Sequence, residues 1–144
     1  MGFIRFVILL LISINLYAGD WVTANNSVAI YGYDPVAFFT EGQALRGRME
    51  HQVKWDGVIW YFRSEDRKQA FAKDPKKFAP QYGGHCANGL SDGHKVNANP
   101  ENWRIIDGKL YFFYSRWGRA QWAFNVPEQI ELANQTWAET RSDR

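Results

Sequence analysis

The chain has 144 residues, with 17 basic and 15 acidic side chains for a formal net charge of +2, and 17% of it is aromatic. That length carries one domain with a real core rather than two large ones. The near-balanced charge, with no basic block to track a phosphate backbone, sets nucleic acid aside as a partner. A single cysteine, Cys86, leaves no internal disulfide to form.

At the N-terminus Arg5 precedes an apolar run from Phe6 to Ile12, which carries on to Leu16 and meets small residues at Ala18 and Gly19. This pattern predicts a signal peptide over residues 1–19, hence a periplasmic or secreted product. The run is too short to cross a bilayer, so the mature domain is not expected to span a membrane. Next, Pro35 fixes a turn at which Asp34 can accept local backbone hydrogen bonds, while Tyr31, Tyr33, Phe38 and Phe39 pack over a sheet edge. The same aromatic residues could instead line a ligand cavity above Cys86, with Asp34 as a hard oxygen ligand.

Two segments 51 residues apart share one grammar. In 53–64 and again in 104–115 an Asp-Gly pair, Asp56-Gly57 and Asp107-Gly108, separates two β-prone runs. Both predict type I′ hairpins whose second strands are aromatic. Ser64 caps a helix from Glu65 to Ala72 with Phe71 and Ala70 inward, and Asp74-Pro75 starts a short turn through Phe78. Between the units, Pro80 to Pro100 is rich in glycine and short polar residues, with a short helix expected from His85 to about Leu90. After Ser115 the parallel segment holds Trp117, Ala120, Gln121 and Phe124. Beyond a break, Val126, Ile130, Ala133 and Trp137 describe one apolar helical face, and 138–144 has nothing left to bury and is expected to fray. The fold class is therefore α+β: a small antiparallel sheet of four or five strands built from the two hairpins, covered by short helices and a C-terminal helix.

Cys86 admits three readings. A thiolate with an imidazole from His51, His85 or His94 suits copper(I) or zinc, although neighbouring His85 diverges from Cys86 on a helix and His94 needs a chain reversal at 91–93. Unpaired cysteine is also among the most buried residue types and can be a small core hydrophobe. Thiol catalysis would use His85 or His94 as base with Asp92 orienting it, but no redox pair is present. Ser91, Asp92 and His94 lie too close in sequence for a hydrolase triad, and no nucleophile elbow surrounds Ser91.

The segments Tyr31-Gly32-Tyr33-Asp34-Pro35-Val36-Ala37-Phe38-Phe39, Trp60-Tyr61-Phe62-Arg63-Ser64, Phe78-Ala79-Pro80-Gln81-Tyr82-Gly83-Gly84 and Cys86-Ala87 resemble the exported, single-domain YHS proteins of bacteria. The resemblance spans residues 30–137, including Trp103 to Tyr111. It implies a compact α+β domain and an association with transition-metal handling, some members being accessory modules of metal pumps and sensors. One departure stands beside the cysteine: where relatives usually read Tyr-Gly-Gly-Tyr-Cys-Ala, this chain has His85, which removes an aromatic residue and offers a second ligand. The expectation is an exported YHS-like domain that binds or senses copper or zinc through Cys86 and a histidine. The alternative is a non-catalytic structural or protein-interaction domain with Cys86 in its core. A transition-metal ion or an envelope protein is the corresponding partner.

Overall fold

The computed structural model describes residues 19–25 and 27–142. The segment expected to be a signal peptide lies outside the described residues except for Gly19, whose amide donates to the Asp56 carbonyl at 3.0 Å. The architecture is α+β. Strands β1 (Thr23–Ala24), β2 (Val28–Ala29), β3 (Arg48–Trp55) and β4 (Val58–Phe62) form one sheet in the order β1-β2-β4-β3. Strands β5 (Asn99–Ile106) and β6 (Lys109–Phe113) form a second, two-stranded sheet. Helices α1 (Pro35–Thr40), α2 (Glu65–Lys73), α3 (Pro75–Phe78), α4 (Ala87–Ser91), α5 (Arg116–Trp122) and α6 (Val126–Ser142) pack around them.

Both Asp-Gly hairpins form as read. Asp56 and Gly57 have φ of 50° and 80°, and Asp107 and Gly108 have 51° and 74°, the two consecutive left-handed residues that a type I′ turn requires. The hairpins do not join into one sheet, however. The outer edge of β4 is taken by β2, with Val28 opposite Ile59 in parallel and the Ile59 amide donating to Ser27 at 2.8 Å. On β6, Phe112 is instead bridged in parallel by Cys86. With each second strand already partnered on its free side, neither edge is left for the other hairpin.

The 51-residue echo between the hairpins extends through most of the fold. Each half opens with a left-handed turn: Ile30, Tyr31 and Gly32 have φ of 46°, 55° and 81°, and Tyr82, Gly83 and Gly84 have 57°, 61° and 81°. A short helix follows, capped by Asp34 in the first half and Cys86 in the second. A hairpin with a bulge in its first strand comes next, between Arg48 and Gln52 and between Asn99 and Trp103. Each hairpin then leads into a serine-capped helix: Ser64 Oγ accepts from the Arg67 amide and Ser115 Oγ from the Gly118 amide.

The core repeats the same plan. In the first half Phe71 of α2 packs on Trp60 and Phe62, each with ring centroids 5.0 Å away. In the second, Trp122 of α5 packs on Tyr111 and Phe113 at 5.1 and 5.3 Å. Phe38 joins the halves by packing on Phe112 at 5.2 Å. Of the apolar face expected on the last helix, Ala133 is buried and Val126, Ile130 and Trp137 pack against the core. The helix continues beyond Trp137 to Ser142.

Asp34 is fully buried and holds its half together. Its Oδ1 accepts from the amides of Val36 and Ala37 at 2.8 and 3.3 Å, and its Oδ2 accepts from the Arg63 amide at 2.9 Å. The Arg67 guanidinium lies 3.5 Å from Oδ2. Truncation would leave buried donors and a partly buried arginine without their acceptor. Asp34→Ala is expected to lose about 3 kcal/mol of stability in urea unfolding, and Asp34→Asn less, because its carbonyl oxygen can still cap α1.

Candidate functional site

Cys86 lies between the left-handed turn and α4 and is buried, with 3% of its surface exposed. Its Sγ accepts two backbone hydrogen bonds, from Gly89 of α4 at 3.3 Å and from Tyr114, just beyond β6, at 3.2 Å. These donors are the counterparts of Ala37 and Arg63, which donate to Asp34. The main chain matches as well: the Asp34 amide donates to Leu45 at 2.8 Å and the Cys86 amide to Val96 at 3.0 Å. The thiol occupies the position of a structural carboxylate and performs its task.

The three histidines stand in different settings. His85 is buried; the Tyr82 carbonyl can only accept, so His85 Nδ1 donates to it at 2.8 Å. Its Nε2 lies 4.0 Å from Asp20 Oδ1, and its ring packs on Trp137 with centroids 5.6 Å apart. His94 is exposed beyond the end of α4, its amide donating to the Gly89 carbonyl. His51 is on β3 with Nδ1 3.5 Å from Glu65 Oε2. Among the described residues, no three His, Cys, Asp or Glu side chains converge where a metal ion could be held. Tetrahedral zinc or thiolate-bound copper is held by electron-pair donors, whereas the hydrogen-bond partners of the sulfur are two backbone N–H groups, which are not ligands.

Residues before the expected start of the domain build a cleft that the sequence did not announce. Asp20 and Trp21 meet Trp55, Tyr82 and Trp137 around a cavity of about 290 Å³. Trp21 Nε1 donates to Asp56 Oδ2 at 2.8 Å, and Asp20 pairs with Lys95. Gly83 is required where this N-terminal segment crosses the turn. A Cβ there would come within 1.7 Å of the Asp20 carbonyl oxygen, quite apart from its φ of +61°.

A second feature lies after Ser115. Trp117 and Phe124 are 73% and 91% exposed and line one shared depression. The equivalence of Ser64 and Ser115 would have identified them: it sets Phe71 opposite Trp122, which makes Trp122 the core residue of α5 and leaves Trp117 outside.

Comparison with protein-family models, with curated proteins and with solved structures finds no match for this chain.

The Tyr82 hydroxyl donates to Asn134 Oδ1 at 2.8 Å, tying the left-handed turn to α6. Burial, with a smaller contribution from Tyr111, raises its pKa well above the ordinary tyrosine value. Burial likewise raises Tyr111. A phenol is neutral when protonated, so an unfolded chain ionises near pH 10 while the folded one resists until higher pH. Stability is then fully present below about pH 10 and is lost as pH climbs toward the folded value. Urea midpoints measured from about pH 8 to about pH 11 should fall beyond about pH 10, and less steeply in Tyr82→Phe.

Proposed function

We propose that this chain is an exported, YHS-like interaction domain without catalytic chemistry, in which Cys86 is a structural acceptor. The observation that carries this reading is the pair of amide hydrogen bonds to the buried Sγ, matched donor for donor by those to Asp34. An acceptor so engaged links α4 to the exit of the second hairpin, and among the described residues no neighbouring base is hydrogen-bonded to it. The interaction part of the reading draws support from Trp117 and Phe124, large apolar side chains that the fold leaves on its surface.

The competing reading is copper or zinc binding through Cys86 with His85, His94 or His51. Titration of the protein with copper(I) under reducing conditions, and with zinc, separates the two. Wild type and Cys86→Ser should show the same metal affinity, whereas a Cys86-centred metal site requires a large loss in the serine variant. In parallel, Cys86→Ala should lower stability by about 1–2 kcal/mol and Cys86→Ser by less, since the hydroxyl still offers an acceptor to the two amides.

A further inference from the structure

Helix α5, with Arg104 of β5 beside it and Phe124 just beyond its end, presents two unlike lanes on its exposed side. On one flank Arg104, Arg116 and Arg119 converge on a depression of about 530 Å³ whose other lining residues are Trp103, Ala120 and Ala123. On the other flank Trp117 and Phe124 line a depression of about 370 Å³. Ala120 lines both, so a small residue forms the crest between a cationic lane and an aromatic lane. None of the three arginines forms an ion pair among the described residues. Among the described residues Asp92, beside the aromatic lane, is the one carboxylate lining either depression.

This arrangement is costly to leave idle. Trp117 and Phe124 are held in water with 73% and 91% of their surface exposed, while Trp122 of the same helix is fully buried. The whole chain has a formal net charge of only +2, so an anionic partner would be drawn by local placement rather than by overall charge. Arginine beside exposed tryptophan and phenylalanine, here on α5 and its flanks, is the composition that seats a surface at a membrane interface. Cations there meet anionic headgroups and the rings enter the boundary with the acyl chains. Because α5 is already folded and anchored by Trp122, binding carries no cost of ordering a helix.

We propose that the exposed face of α5 docks the domain on an anionic phospholipid surface, with Arg104, Arg116 and Arg119 at headgroup phosphates and Trp117 and Phe124 in the interfacial layer. The proposal names the partner of the interaction face described above and rests on that reading, but its test is independent of Cys86. Full-length mature protein is sedimented with vesicles of phosphatidylcholine alone or with about 30% phosphatidylglycerol, at about 0.05 M and about 0.5 M salt. Wild type should partition onto the anionic vesicles at low salt, at least about tenfold more than onto the neutral ones, and leave them at high salt. Arg116→Glu/Arg119→Glu and Trp117→Ala/Phe124→Ala should each reduce partitioning about tenfold or more, with circular dichroism confirming that both variants are folded. Equal partitioning onto neutral vesicles, no partitioning onto either, or wild-type behaviour of both variants would overturn the proposal. Displacement by millimolar inorganic phosphate would reassign the arginines to a free oxyanion and overturn it too. Failure on vesicles would leave the reading of Cys86 as a structural acceptor standing, because that reading is decided by the metal titrations of the Cys86 variant.

Discussion

One buried acceptor in each half governs how the chain closes on itself. It sits at the start of a short helix and receives the amide three residues on in that helix, joined at Asp34 by that of Val36, and another from the residue that leaves the hairpin. At Asp34 those amides belong to Ala37 and Arg63, and at Cys86 to Gly89 and Tyr114. A loop, a helix and a hairpin that are separate in sequence are thereby pinned to a single atom or carboxylate. Buried donors that lose such an acceptor keep the full cost of desolvation, so the constraint is strict.

Everything packed inside follows from that closure. Once the strand exit is held against the helix start, the serine cap that follows sends α2 or α5 back across the strand. The residue reaching the core is then Phe71 in one half and Trp122 in the other. Each aromatic covers two alternate strand residues, which explains why β4 and β6 need bulky rings at consecutive inward positions. The left-handed turns bring the chain into place before the acceptor. They hold Ile30, Tyr31 and Tyr82 at positive φ, conformations that side-chain-bearing residues adopt at a cost and that the surrounding packing must sustain.

The parts legible from sequence were those whose chemistry allows few alternatives. Asp-Gly allows a two-residue turn with both φ positive, and Ser64 before Glu65 and Asp66 reads as a helix start; both features are present. The wider repeat was hidden because what it conserves is a backbone path and an acceptor, not residue types. Tyr31-Gly32-Tyr33-Asp34 and Gly83-Gly84-His85-Cys86 share one glycine position and little else. The separation of the two sheets was equally hidden, since it depends on β2, a two-residue strand with too few side chains to show a period. At the cysteine, sequence identified a residue of unusual standing but not its occupation. Whether a thiol caps a helix, binds a metal or fills a core depends on which donors surround it, and here one of the two comes from Tyr114, far along the chain.

The exchange of carboxylate for sulfur between the halves has its own physical cause. Asp34 is fully buried, and the Arg67 guanidinium 3.5 Å away offsets its charge while also pairing with Glu41. Burying a carboxylate without such a partner costs several kcal/mol. In the second half the position of Arg67 belongs to Gly118, which is buried, and a Cβ built there would already lie 3.4 Å from the Asn88 side chain. Glycine at that position supplies no cation to stand against residue 86. A carboxylate at position 86 would stand uncompensated, whereas sulfur accepts both amides at 3.2 and 3.3 Å and needs no counter-charge. The lone cysteine is thus the acceptor that fits a site without an arginine, and the unpaired arginines of this half lie instead on the outer face of α5, where an external anion can reach them.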